Sequence, residues 1–237
     1  MRTDTRRIAK FSDFVRETEA LASQSPTVIF RGQGVRGNLV PRIARPNNKK
    51  NPIASEKRML DELRRMGGAF LPGLPDSEWE LLVVAQHFGM ATRLLDWTSN
   101  PLAALFFACD DRQNQKSDVY LYALDVPDDL LMSPTLTEGP FSQAKTRVFR
   151  PRWNNPRIVA QHGWFTAHRF SQKAKKFVPL ESNPDVHPHL TEFVVGGRNR
   201  VGLLKSLDRH GMSSRTLFPD LEGLCRYLTW CHEHATR

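Results

Sequence analysis

The sequence predicts an α+β protein of one domain, with a sheet flanked by helices. Three observations predict it. Apolar residues recur at helical spacing in some stretches and form short, β-rich or alternating runs in others. The two patterns are mixed along the chain, with the extended runs mainly in its second half and no internal repeat. No Pro-, Gly- or Ser-rich linker is strong enough to divide the 237 residues, a length that can bury a substantial core.

Taken in order, Ser12 is placed to cap a first helix running to about Ser23. Residues 1–26 therefore read as a helical lead-in to a domain over 27–237. Thr27-Val-Ile-Phe30 is a short β-rich run that delivers Arg31-Gly32 at its end. Residues 41–54, rich in Pro, Asn and Lys, read as an exposed loop. Ser55 then caps a helix with the apolar stripe Met59, Leu60, Leu63 and Met66, ending at Gly67-Gly68. Ser77-Glu-Trp-Glu80 has the spacing of a capping box. The helix it opens stops near Gly89, so Gln86 and His87 emerge from its last turn.

Pro101 suits the first position of the next helix, capped by Ser99 or Asn100. Residues 102–108 of that helix are apolar all round and should be buried. Residues 118–126 read as a strand, and 157–161 and 164–168 as strands on either side of a bend at Gly163. Residues 192–195 form a last strand, stopped by Gly196-Gly197. A helix follows from about Arg200 to Gly211, and another from about Asp220 with Leu221, Leu224, Cys225, Leu228 and Cys231 at helical spacing.

The net charge is +9. Cations cluster at Arg42, Arg45, Lys49 and Lys50, at Arg147, Arg150 and Arg152, and at Lys173, Lys175 and Lys176. Arg147-Val-Phe-Arg-Pro-Arg-Trp153 interleaves cations with aromatics, a pattern suited to single-stranded nucleic acid. The other reading of these charges is a solvated basic surface. No apolar run approaches the roughly 20 residues of a membrane span. Three cysteines and an N-terminus without an apolar core make a reducing, cytoplasmic setting the expectation. The glycine patterns of nucleotide loops, zinc signatures and the Gly-x-Ser-x-Gly elbow are missing from the sequence.

Residues able to do chemistry concentrate in Gln86-His-Phe-Gly-Met-Ala-Thr-Arg-Leu-Leu-Asp-Trp-Thr-Ser-Asn-Pro101. So many polar groups between apolar helices must pair with each other or face a ligand. Arg31, beside Gly32, can clamp a phosphate or carboxylate, or pair with Asp96. His87 is a general base or a favourable helix end. Arg93 and Asp96 lie in a half-buried extended stretch, where an internal salt bridge competes with ligand binding. Thr98 and Ser99 precede a helix N-terminus, which is also an anion site. Gln161, read as a strand-interior glutamine, needs a partner. Glu222 complements the dipole of the last helix.

Phe30-Arg31-Gly32, the Gln86 to Pro101 block and Ala104-Leu-Phe-Phe-Ala108 together resemble the FRG domain family of bacteria and phage. Arg157-Ile-Val-Ala-Gln-His-Gly-Trp-Phe-Thr166 and Leu217-Phe-Pro-Asp-Leu-Glu-Gly-Leu224 extend the resemblance over about 27–230. Glu222 stands where the family more often has aspartate.

The order of motifs is also similar to that of arginine-class ADP-ribosyltransferases. Arg31-Gly32 matches their first element, Thr98-Ser99 part of the second, and Gln161 the third. The resemblance implies a split mixed or antiparallel sheet and NAD as cofactor. It gives catalytic roles to Arg31, Asp96, Gln161 and Glu222, and cofactor contacts to Arg31, Gly32, Gln86, His87, Thr92, Arg93, Thr98 and Ser99. Gly163 stands where the transferase glutamate is expected, so either the acid comes from elsewhere, Asp96 or Glu222, or the chemistry differs.

The function implied is ADP-ribosyl transfer to a nucleic acid or protein, in phage defence or toxin–antitoxin biology, with an antitoxin or defence-system protein as partner. The competing reading is a nucleic-acid-binding or nucleolytic defence module without NAD chemistry.

Overall fold

The computed structural model describes residues 4–36, 38–45, 51–71, 73–110, 117–133, 138–152 and 155–234. Lys49, Lys50 and Trp153 lie outside the described residues. The chain is α+β, built on one mixed sheet. Strands β1 (Asp4–Ile8), β2 (Val28–Gln33), β3 (Leu94–Thr98), β4 (Val119–Asp125), β5 (Arg147–Phe149), β6 (Gly163–Ala167) and β9 (Leu190–Val195) form it, in the order β1-β9-β4-β2-β3-β6-β5. β1 runs parallel to β9, and the other neighbours are antiparallel. β7 (Phe170–Ser171) and β8 (Lys176–Phe177) make a separate ribbon.

Residues 4–8 are thus an edge strand of the main sheet, a correction to the helical lead-in read from the sequence. The first helix, α1 (Phe11–Ala22), starts after Lys10, whose amide bonds the Asp13 carboxylate, so Asp13 rather than Ser12 closes its start. In α2 (Pro52–Gly67) the cap is Asn51, whose Oδ1 accepts from the amides of Ile53 and Ala54. Ser55 therefore lies inside the helix. Ser77 precedes α3 (Glu78–His87), and Glu80 accepts from the Arg152 amide rather than closing a capping box. α4 (Pro101–Cys109) is as expected: Asn100 caps it, and Ala103, Ala104, Leu105, Phe106 and Ala108 are buried.

The largest correction falls on residues 157–161. Asn155 Oδ1 accepts from the Ile158 amide and Pro156 takes the first helical position, so a short helix α5 (Pro156–Ala160) forms instead of a strand. Gln161 is its C-cap residue. The chain then turns at His162, whose φ is +50°, into β6.

Helices α6 (Arg200–Arg209), α7 (Ser214–Leu217) and α8 (Leu221–His234) complete the fold. The apolar spacing in α8 does not define a buried stripe. Leu221 is 74% and Leu228 57% exposed, and the helix docks through Gly223 instead.

The alternation of the strands separates the core into faces. On one face α4, α6 and α7 pack over Phe30, Leu121 and Phe193, while α2 and α3 cover Leu94, Phe165 and Phe149. The opposite face collects Ile29, Leu95, Trp97, Tyr122 and Leu124. Among the described residues no helix is long and apolar enough to cross a membrane.

Candidate functional site

The junction of β2 and β3 positions the site. Among the described residues one register pair joins these strands, Phe30 opposite Thr98. Phe30 and Gly32 share a face with Asp96 and Thr98. Arg31, opposite Tyr122 on β4, starts from the other face beside Trp97. A cavity of about 380 Å³ occupies this junction. Arg31, Gly32, Asp96 and Thr98 give it a polar floor, and Phe30, Trp97, Phe107 and Phe218 supply aromatic surface. Its size and its few convergent polar groups in an apolar frame are those of a small-molecule site.

Arg31 Nη1 donates to the main-chain carbonyl of Asp96 (2.7 Å), and Nε is buried without a hydrogen-bond partner. Burial pulls this guanidinium below its ordinary value; Asp96 opposes the shift and Arg45 adds to it. The direct pairing with the Asp96 carboxylate considered from the sequence does not form, because the two side chains leave the sheet on opposite faces. A buried N–H without a partner is costly unless a ligand completes it.

Asp96 is the cavity's one lining carboxylate among the described residues, and it is exposed. Gln86, from the last turn of α3, donates through Nε2 to its oxygens (3.2 and 3.4 Å). Thr92 Oγ1 donates to Gln86 Oε1 (2.7 Å). His87 Nε2 lies 2.6 Å from Asn155 Nδ2, and since Asn155 Oδ1 is engaged by Ile158, the amide nitrogen faces the ring. Burial and then Arg157 hold His87 below its ordinary value, against the pull of Asp96. The imidazole is therefore neutral at pH 7 and accepts at Nε2.

Other predicted site residues are brought here with different roles. Thr98 lines the cavity, but its hydroxyl donates to the Gln161 carbonyl (2.6 Å) and accepts from the Asn100 amide (2.9 Å). Gln161 also lines it, with Nε2 committed to the Leu217 carbonyl (3.1 Å). Ser99 is exposed and outside the lining. Gly32 serves packing: a Cβ there would sit 1.9 Å from the Ala104 oxygen, so α4 lies directly on β2.

Two predicted residues are placed elsewhere. Arg93 is 3% exposed and bonds Glu56 of α2 through its amide (2.6 Å), Nε (2.9 Å) and Nη2 (2.7 Å). Its Nη1 donates to the Pro140 carbonyl (2.6 Å), and the guanidinium stacks on Phe141. Glu222 is an exposed carboxylate at the start of α8, 3.5 Å from Arg157, and does not line the cavity.

Sequence reasoning missed the aromatic wall. The guanidinium groups of Arg157 (5.6 Å) and Arg226 (4.8 Å) both lie over the Phe218 ring, which meets Phe107 edge-on. Asp220 fixes Arg157 through Nε and Nη2 (3.0 and 2.7 Å). The run from Leu217 to Leu224 carries this signal, since it holds Phe218, Asp220 and Gly223 together.

The basic segment is only partly available to a partner. Phe149 is core, and Arg147 bonds Gln143 and the Asp129 carbonyl. Arg150, Arg152, Lys173, Lys175 and Lys176 are exposed.

Fold and site thus define an α+β protein with a ligand-sized cavity where two central strands of a mixed sheet part. Residues 26–117 match the family model described as FRG domain. This stretch contributes Arg31, Gly32, Gln86, Thr92, Asp96 and Thr98 to the site, whereas Gln161 and Phe218 come from beyond it. No curated protein and no solved structure matches the chain.

Proposed function

We propose that this chain is an NAD-dependent ADP-ribosyltransferase-like enzyme whose site is the cavity between β2 and β3. The observation that carries the reading is that Arg31, whose buried Nε has no hydrogen-bond partner, lines the cavity together with Asp96. These residues fit the nicotinamide half of a dinucleotide. Arg31 offers a fixed cationic fork for a phosphate oxygen. Phe30, Phe107 and Phe218 offer faces for a flat ring and keep water away from it. NAD, when bound, supplies an ADP-ribosyl group whose bond to nicotinamide can be broken.

Asp96 is the acid for which the resemblance left a choice. It lines the cavity, while Glu222 is turned to solvent and faces Arg157. Its negative charge favours a positive charge developing on the sugar. Arg31 anchors, Asp96 stabilises charge, and Gln161 and Thr98 fix the floor through their bonds to neighbouring backbone. The exposed cations Arg150, Arg152, Lys173, Lys175 and Lys176 favour a polyanionic acceptor.

The test is calorimetric titration with NAD together with an assay of nicotinamide release. Wild type should bind saturably and release nicotinamide, Arg31→Ala should lose binding, and Asp96→Asn should bind but not turn over. Wild type that neither binds nor releases would remove this reading. The same exposed cations support a second one, a nucleic-acid-binding or nucleolytic module. It requires affinity for single strands that falls steeply with salt and ignores NAD.

A further inference from the structure

Asp96 is held from behind by residues that do not reach the cavity. Gln86 Nε2 reaches both carboxylate oxygens, and Gln86 Oε1 accepts from Thr92 Oγ1. Thr92 is fully buried, and its oxygen accepts from the Leu94 amide (3.2 Å). Neither Gln86 nor Thr92 is among the lining residues.

Donor and acceptor chemistry gives the chain a direction. A threonine hydroxyl has one proton, and here it goes to an amide oxygen. That orients the Gln86 amide, so its NH2 faces the carboxylate, which as an anion only accepts. The reversed amide would set its NH2 against the Thr92 hydroxyl and its oxygen against Asp96, two lone pairs facing each other. The loop makes the arrangement: Gly89, at φ +87°, turns the chain after α3, and Thr92 returns beside Gln86 just before β3.

We infer that Thr92 and Gln86 are positioning residues that fix the orientation of the Asp96 carboxylate toward the cavity. The inference rests on the proposed function for its kinetic consequence, and on hydrogen bonding alone for its structural one. An exposed aspartate would otherwise sample several rotamers, and each misaligned one weakens the charge presented to the reacting centre. A purely structural role, tying α3 to β3, predicts loss of stability without selective loss of turnover.

Thr92→Val is nearly isosteric and removes only the hydroxyl, whereas Thr92→Ser restores it. In the full chain, Thr92→Val should lower kcat for nicotinamide release by about tenfold or more, with KM changed less than about twofold. Thr92→Ser should recover most of that rate. Equal kcat in Thr92→Val and wild type, or a serine variant as defective as the valine one, would overturn the inference.

Should wild type show no nicotinamide release, the proposed function fails, and the side-chain amide of Gln86 still tests the relay. Its hydrogen exchange, read by 15N NMR, should quicken about tenfold or more in Thr92→Val and Asp96→Ala but not in Thr92→Ser. Unchanged exchange in Thr92→Val would overturn the relay as well.

Discussion

Arg31 donates to the main-chain carbonyl of Asp96 across the gap between β2 and β3, although their side chains leave the sheet on opposite faces. The guanidinium therefore does what a further register pair would do. It ties two strands that share one backbone pairing, and it keeps donors free for the cavity. A lysine has the charge but lacks the planar fork. Arg31→Lys should lower affinity for pyrophosphate or ADP-ribose by about tenfold, and stability by about 1–2 kcal/mol for the lost bond to a charged donor. Calorimetry and urea denaturation read the two effects separately. Unchanged affinity would place Arg31 outside the ligand site.

Gly32 offers a sharper contrast. The glycine permits α4 to lie on β2, since a Cβ at this position would meet the Ala108 amide at 2.6 Å as well as the Ala104 oxygen at 1.9 Å. Backbone cannot yield as a flexible side chain can. Gly32→Ala should destabilise by about 3 kcal/mol, the upper end of overpacking. Any loss of ligand binding should follow unfolding. A stable but non-binding variant would show instead that Gly32 touches ligand.

The Arg93–Glu56 pair predicts a different pattern. Both side chains are buried, so removing one leaves an uncompensated partner. Arg93→Met should cost about 3–5 kcal/mol, whereas Arg93→Met with Glu56→Leu should recover much of the loss. Denaturant midpoints of the single and double variants decide it, and additive losses would contradict the buried-pair account.

Much of this is legible in the sequence, and the failures share physical causes. The Asn100-Pro101 start and apolar surface of α4, and the polar block from Gln86 to Thr98, follow from local pattern. Arg31 and Asp96 can be assigned to one site because both are polar residues flanked by core. What pattern cannot supply is facing. One pairing, Phe30 with Thr98, sets Arg31 and Asp96 on opposite faces, and no local signal fixes that register. Glu56 shows the same limit: a glutamate on a helix reads as solvated until a distant arginine is found beside it. Residues 157–161 mislead because an apolar run of strand length cannot be told from a short helix by spacing alone, and the Asn155-Pro156 start outweighs it.

His168 makes stability depend on pH. Burial, opposed by the Val178 main chain and aided by Arg31, holds it down to about 3, against an ordinary 6.5. In that interval the unfolded chain binds a proton that the folded one does not, so stability rises with pH and is lost on acidification. The relation gives about 2 kcal/mol lost between pH 7 and pH 5. Denaturation curves at both values should show it, and His168→Gln should flatten the difference. An unchanged slope in that variant would assign the dependence to other groups.

Gly223 connects the last helix to the cavity wall. A Cβ there would lie 2.0 Å from the Phe218 carbonyl oxygen and 2.7 Å from the Phe218 Cβ, with the Ser214 oxygen at 2.8 Å. α8 can therefore approach α7 only through a glycine. That approach also places Arg226 over the Phe218 ring and lets Asp220 accept from the Gly223 amide (2.8 Å) while holding Arg157. Gly223→Ala should push α8 off this contact and shift Phe218, while the sheet and α4 keep their packing. The expected result is a loss of about 1–3 kcal/mol, within the range for overpacking. Affinity for a flat aromatic probe such as nicotinamide should fall with it, while affinity for inorganic pyrophosphate at Arg31 holds. If both ligands weaken equally, Phe218 is not a separate wall and the cavity responds as one unit.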